Sequence, residues 1–91
     1  MKCYIVSYDI KNNSQSFDYS VLEKAIKSYG TWAHINKSVW GIVTDKSASE
    51  IRDNLKTKID SDDSVFVIKS GVEAAWSNVI CRNEWLQENL K

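Results

Sequence analysis

Apolar and polar positions change period several times along the chain, and each change marks an element. Residues 3–10 alternate: Tyr4, Val6, Tyr8 and Ile10 fall on one side, Cys3, Ile5, Ser7 and Asp9 on the other. This period of two predicts a strand whose apolar face meets helices and whose mixed face meets solvent or another subunit. A polar loop is expected over 11–18. Leu22, Ala25, Ile26 and Tyr29 then recur at helical spacing. Ser20 with Glu23 has capping-box spacing, Asp18 is the alternative cap, and Gly30 stands where a left-handed terminal residue belongs.

The segment TWAHINKSVWGIVT has the β-branched content of two short strands turning near Asn36-Lys37, or of a single long bent strand. A turn at Asp45-Lys46 follows, and Ser47 with Glu50 forms a second capping box. Ala48, Ile51, Leu55 and Ile59 line one face of the next helix. The acidic turn DSDD leads into a last strand, SVFVIKS, ending near Gly71. The predicted order is β-α-β-β-α-β, an α+β, ferredoxin-like chain with a four-stranded antiparallel sheet and two helices on one face. Residues 1–71 form that domain. Residues 72–91 form a C-terminal tail with a short helix, in which Trp76, Ile80, Trp85, Leu86 and Leu90 offer docking positions on its own subunit or on a partner.

Composition narrows the functional classes. The 91 residues suffice for one domain, and the four Trp, four Tyr and two Phe give it large apolar faces. Twelve basic residues balance twelve acidic ones, so indiscriminate binding of nucleic acid is not expected. Residues 1–40 hold five lysines against three acidic residues, which permits a local basic groove. Cys3 and Cys81 match no metal-ligand spacing and read as reduced thiols, pointing to a cytoplasmic protein. No apolar run reaches the ~18 residues of a membrane span, and Asp9 interrupts the first one too early for a signal peptide.

Chemistry concentrates at Asp9. If the sheet face without helices pairs with its own copy, a twofold axis near the end of the first strand brings two Asp9 carboxylates together. They repel unless a divalent cation lies between them. Magnesium suits such a site, because it takes hard oxygen ligands and keeps several waters. The same Asp9 also reads as an ordinary residue of a strand end. His34 reads either as a general acid–base or as a packing residue between aromatics. DSDD lacks the glycine and terminal glutamate of an EF-hand loop and reads as a solvated turn. The four tryptophans could stack on bases, though burial is their commoner use.

Three segments in order, YIVSYDI, NKSVWGIV and DDSVFVIKS, resemble the CRISPR-associated Cas-two family of small ferredoxin-like dimers. VapD-type toxins and small bacterial Cas-two-like proteins look like members of the same group. The resemblance implies a homodimer with Asp9 of each subunit at the interface. It further implies, by analogy with members that cleave nucleic acid, a magnesium-dependent endonuclease or endoribonuclease. Tyr8 matches the residue beside the metal-binding Asp, and Ser38 the serine of Ser-Val-Phe, with Trp40 in place of Phe. On that basis Asp9, Tyr8 and Ser38 are the candidate catalytic residues, with Asp9 as metal ligand. His34 and Asn36 stand where the family has Arg and Gln, and KNNSQS replaces basic residues after the first Asp. Fewer fixed cations mean weaker phosphate binding. The alternative is a non-catalytic dimeric scaffold for RNA, DNA or a protein partner, of CRISPR-adaptation or toxin–antitoxin type.

Overall fold

A computed structural model describes residues 1–11, 18–71 and 73–90. The expected polar loop lies mostly in 12–17, outside the described residues. The elements run β1 (Lys2–Asp9), α1 (Tyr19–Lys27), β2 (Trp32–Asn36), β3 (Val39–Thr44), α2 (Ala48–Lys56), β4 (Ser64–Lys69) and α3 (Asn83–Asn89). The sheet order is β2-β3-β1-β4, with every neighbouring pair antiparallel. The chain thus has the ferredoxin-like α+β arrangement with a C-terminal helix.

Local chemistry fixes the helix starts. Ser47 and Glu50 form a reciprocal capping box at α2, satisfying two of the backbone donors a helix start leaves open. At α1 the cap is Asp18, one of the two candidates. Its Oδ1 accepts from the Ser20 backbone N–H at 3.0 Å and from the Ser20 hydroxyl at 2.6 Å. Ser20 therefore serves as donor to the cap. These bonds hold the Asp18 carboxyl below its ordinary value. Gly30 turns the chain from α1 into β2 with φ at 119°, a conformation side-chain-bearing residues avoid.

The alternation in β1 maps onto two distinct cores. Tyr4, Val6, Tyr8 and Ile10 join Trp40 and Ile42 of β3 beneath Leu22 and Ile26 of α1 and Ile51 and Leu55 of α2. On the opposite face a second, smaller core forms around Ala33, Ile35 and Leu86, flanked by Ile5, Val39, Trp76, Val79, Cys81, Trp85 and Leu90. This face is not bare: residues 76–90 of the same chain close its β2–β3 half. The tail arrives across β2, where the Ile80 N–H donates to the Ile35 carbonyl at 2.8 Å. Asn78 turns it with φ at 57°. Trp76 Nε1 donates to Asn83 Oδ1 and Trp85 Nε1 to Thr31 Oγ1, each at 3.1 Å. Of the expected docking positions, Leu86 is buried, whereas Ile80 stays 61% exposed.

The closure depends on a missing methyl group. A Cβ placed on Gly41 would lie 2.8 and 2.9 Å from two carbons of the Trp85 ring and 3.4 Å from Ile35 Cδ1. The indole thus sits directly on the backbone of β3, and glycine in the strand interior permits that approach. Gly41→Ala is expected to lift the tail and cost about 1–3 kcal/mol, the usual range for overpacking. In a Trp85→Ala background the same substitution should cost far less. Urea denaturation of the four proteins checks this, and equal costs in both backgrounds would contradict the contact.

Candidate functional site

The strand β1 carries Asp9 to its last position, on the sheet face turned away from α1 and α2. Its Cα is paired across the sheet with Ser64, and its side chain is exposed. It makes no ion pair with the described residues. Beside it on the same face run Ile5 and Ser7, opposite Ile68 and Phe66 of the edge strand β4. Phe66 and Ile68 are 62% and 50% exposed. The second core partly covers Ile5, and the Phe66 and Ile68 side of the strip stays open. Asp9 therefore stands on the same face as two exposed apolar side chains, Phe66 and Ile68.

Tyr8 points the other way, into the main core, and is almost fully buried. Its backbone N–H donates to the Ser38 carbonyl at 3.1 Å, and its hydroxyl donates to the Lys37 carbonyl at a long 3.5 Å. His34 Nε2 lies 3.2 Å from that Lys37 oxygen. A carbonyl only accepts, so this contact places a proton on Nε2. The His34 ring is stacked on Trp40, with centroids 4.1 Å apart and planes 9° from parallel. One backbone oxygen thus gathers Tyr8 and His34, and fixes the Lys37–Ser38 turn beside the end of β1. His34 is a packing residue of this hub, reached through a register shift between His34 and Asn36.

The candidates are therefore brought to one end of the sheet without converging on one point. Asp9 faces the open side, Tyr8 faces the core, and Ser38 sits half-buried in the turn. Among the described residues no hydrogen bond joins the side chains of Asp9 and Ser38. Lys11 and Lys37 lie at the same end and are exposed. The DSDD turn is braced there too. Asp63 accepts from the Lys11 N–H and from the Asp60 N–H, each at 2.9 Å, so this carboxylate is structural and ties β1's exit to the start of β4.

Among the described residues no group of three or more His, Cys, Asp and Glu could hold a metal ion. What the chain offers is one exposed carboxylate on a rigid strand end. That fits a hard cation which keeps most of its waters and takes only one or two carboxylates. No described helix is long and apolar enough to cross a membrane.

Burial raises the Tyr8 phenol above its ordinary value of 10.0, partly offset by the Trp40 indole N–H beside its oxygen. That indole nitrogen is itself buried and lacks a regular hydrogen-bond partner among the described residues. The fold favours the neutral phenol, so its contribution is complete below the unfolded-state pKa and is lost as pH rises through the raised folded value. An absorbance titration is expected to show one phenol ionising above 10.0 that Tyr8→Phe removes. Because the Tyr8 hydroxyl bond is long, the variant should stay within about 1 kcal/mol of wild type at neutral pH. Superimposable alkaline titrations of the two proteins would refute the assignment.

Two features of this region were not visible as such in the sequence: the Lys37 carbonyl hub and the closure of Trp85 on Gly41. The second had a signal, a glycine inside a strand pattern, which marks either a bulge or a close approach.

No curated protein and no solved structure shows significant similarity to the chain. The family model for CRISPR associated protein Cas2 matches residues 1–77, from β1 through the first part of the tail, and the chain belongs to that family.

Proposed function

We propose that the protein acts as a homodimeric, magnesium-dependent endoribonuclease, with one Asp9 from each subunit at the twofold axis. The observation that supports this most is the position of Asp9: exposed, on a rigid strand end, beside an open apolar strip that a second copy would cover. Burying Phe66 and Ile68 against their own counterparts would supply the association energy, at about 25 cal/mol per Å² of apolar surface. Like carboxylates meeting at the axis oppose it unless a cation lies between them.

When bound, magnesium supplies Lewis acidity: it lowers the pKa of a bound water and offsets charge on the scissile phosphate. The protein's own contribution is orientation. Asp9 carboxylate oxygens from two chains fix the position of the cation. Lys11 and Lys37 add positive charge where phosphate would approach. Ser38 offers a hydroxyl to a phosphate oxygen from its turn. Tyr8 is a positioning residue, holding the Lys37–Ser38 turn from inside the core. CRISPR-associated membership of the family agrees with work on nucleic acid. The second reading, a dimeric scaffold on the same fold, draws on the single ligand each chain provides.

The test compares cleavage of single-stranded RNA by wild type and Asp9→Asn, each with magnesium and with EDTA. Cleavage is expected only in wild type with magnesium, falling at least a hundredfold in the variant. Equal rates in both proteins would leave the scaffold reading. Light scattering should give a mass of twice 10.4 kDa, with Phe66→Lys shifting the population to monomer. A wild type that is monomeric at micromolar concentration would rule out the shared site.

A further inference from the structure

On the edge of the sheet formed by β2, far across the strand order from β4, the tail and β2 enclose a groove of about 370 Å³. Its walls include Trp32, His34, Ile80, Arg82, Trp85 and Glu88. The volume lies within the usual range of small-ligand clefts. Three observations describe what it is built to hold. Trp32 remains 40% exposed and Ile80 61% exposed, so two large apolar side chains of the groove's lining stay open to solvent. Trp32 is also held in place: Lys27 Nζ lies 4.7 Å from its ring centre, and the Trp40 ring lies 5.5 Å away, tilted by 51°. Finally, the groove is lined by one cation and one anion, Arg82 and Glu88, and a second cation, Lys27, lies over the Trp32 ring. Lys27 sits over the aromatic pair, and the exposed Arg82 is tethered to Glu84 only by a 3.8 Å ion pair, which is weak at a solvated surface.

An orientationally fixed, part-exposed tryptophan with cations at its margin matches the chemistry of a nucleobase linked to phosphate. The base stacks on the indole while the guanidinium and ammonium take the backbone charge. Glu88 on the wall keeps phosphate out of the groove itself and offers an acceptor to an exocyclic amino group. We propose that this groove binds one unpaired base of single-stranded RNA, with Trp32 as the stacking platform and Arg82 and Lys27 as phosphate contacts. The choice of RNA rests on the function proposed above; the stacking geometry does not. The site is separate from Asp9, so it anchors the strand and is not part of the cleavage chemistry.

The experiment is equilibrium binding of a single-stranded ribo-octanucleotide to the full chain in EDTA, across a salt series. The same octamer carrying abasic positions, and a base-paired duplex, serve as controls. Wild type is expected to prefer the single strand. Trp32→Ala should weaken it about tenfold or more, the range found when a stacking aromatic is removed, while Trp32→Phe should restore much of the loss. Arg82→Gln should weaken binding and make the salt slope shallower by about one phosphate contact. Thermal melts of each variant confirm folding, and Trp32→Phe carries the test if Trp32→Ala unfolds. Equal affinity for the abasic and normal octamers, or binding unchanged by Trp32→Ala in a folded protein, overturns the proposal. Loss of cleavage in Asp9→Asn with Trp32-independent binding sinks this site and leaves the nuclease standing. Trp32-dependent binding by a protein that never cleaves does the reverse.

Discussion

The contact between Trp85 and Gly41 governs how much of the sheet is available for function. Two helices close one face of a four-stranded sheet, and a ferredoxin-like chain has no third helix between its strands to close the other. Here the tail does so over β2 and β3, with Leu86 reaching complete burial and the indole of Trp85 resting where a Cβ would stand. An alanine at position 41 would hold the ring off the backbone. The close approach thus sets both the depth of the tail and its lateral reach. The second core reaches Ile5 of β1 and leaves Phe66 and Ile68 of β4 exposed, and Asp9 lies on the same face as that opening. The location of the candidate site follows from where the chain's own cover runs out.

Much of the fold was readable because its signals are local. Alternation through Tyr4, Val6, Tyr8 and Ile10 needs no knowledge of any other residue, and the Ser47–Glu50 box spans a single helical turn. Cap choice at α1 was harder, since Asp18 and Ser20 carry competing chemistry two positions apart. The carboxylate prevails by accepting two bonds from Ser20, which the hydroxyl could not reciprocate. The path of the tail was not readable at all. It depends on Ile80 meeting Ile35 and on Trp85 meeting Gly41 and Thr31, partners forty-four to fifty-four positions away that no periodicity announces. The family match, too, ends at residue 77, before α3 begins. For the site, Asp9 was visible as a carboxylate at a strand exit, and the side it faces followed from the alternation. The inward direction of Tyr8 was legible for the same reason, and it separates the two neighbours: one can meet a ligand, the other can only hold the framework.

The charge balance gives these separate regions a common logic. A chain with equal numbers of acidic and basic residues has no broad field with which to hold phosphate. Its cations near the candidate sites come in small local sets, Lys11 and Lys37 at the acidic strand end and Lys27 and Arg82 at the aromatic groove. Two such contacts cannot supply the affinity that a basic surface obtains from releasing many counterions. The interactions proposed to make up the difference do not depend on net charge: a base stacked on a fixed indole, and a cation held between two carboxylates. Both act over a few ångströms and require the nucleic acid to be unpaired or sharply exposed at the contact. Duplex would present its phosphates to a surface with little charge and keep its bases out of reach of Trp32. On the proposed reading, the same near-neutral surface that weakens general binding would bias the molecule toward single strands, a selectivity arising from what the surface lacks as much as from what the groove contains.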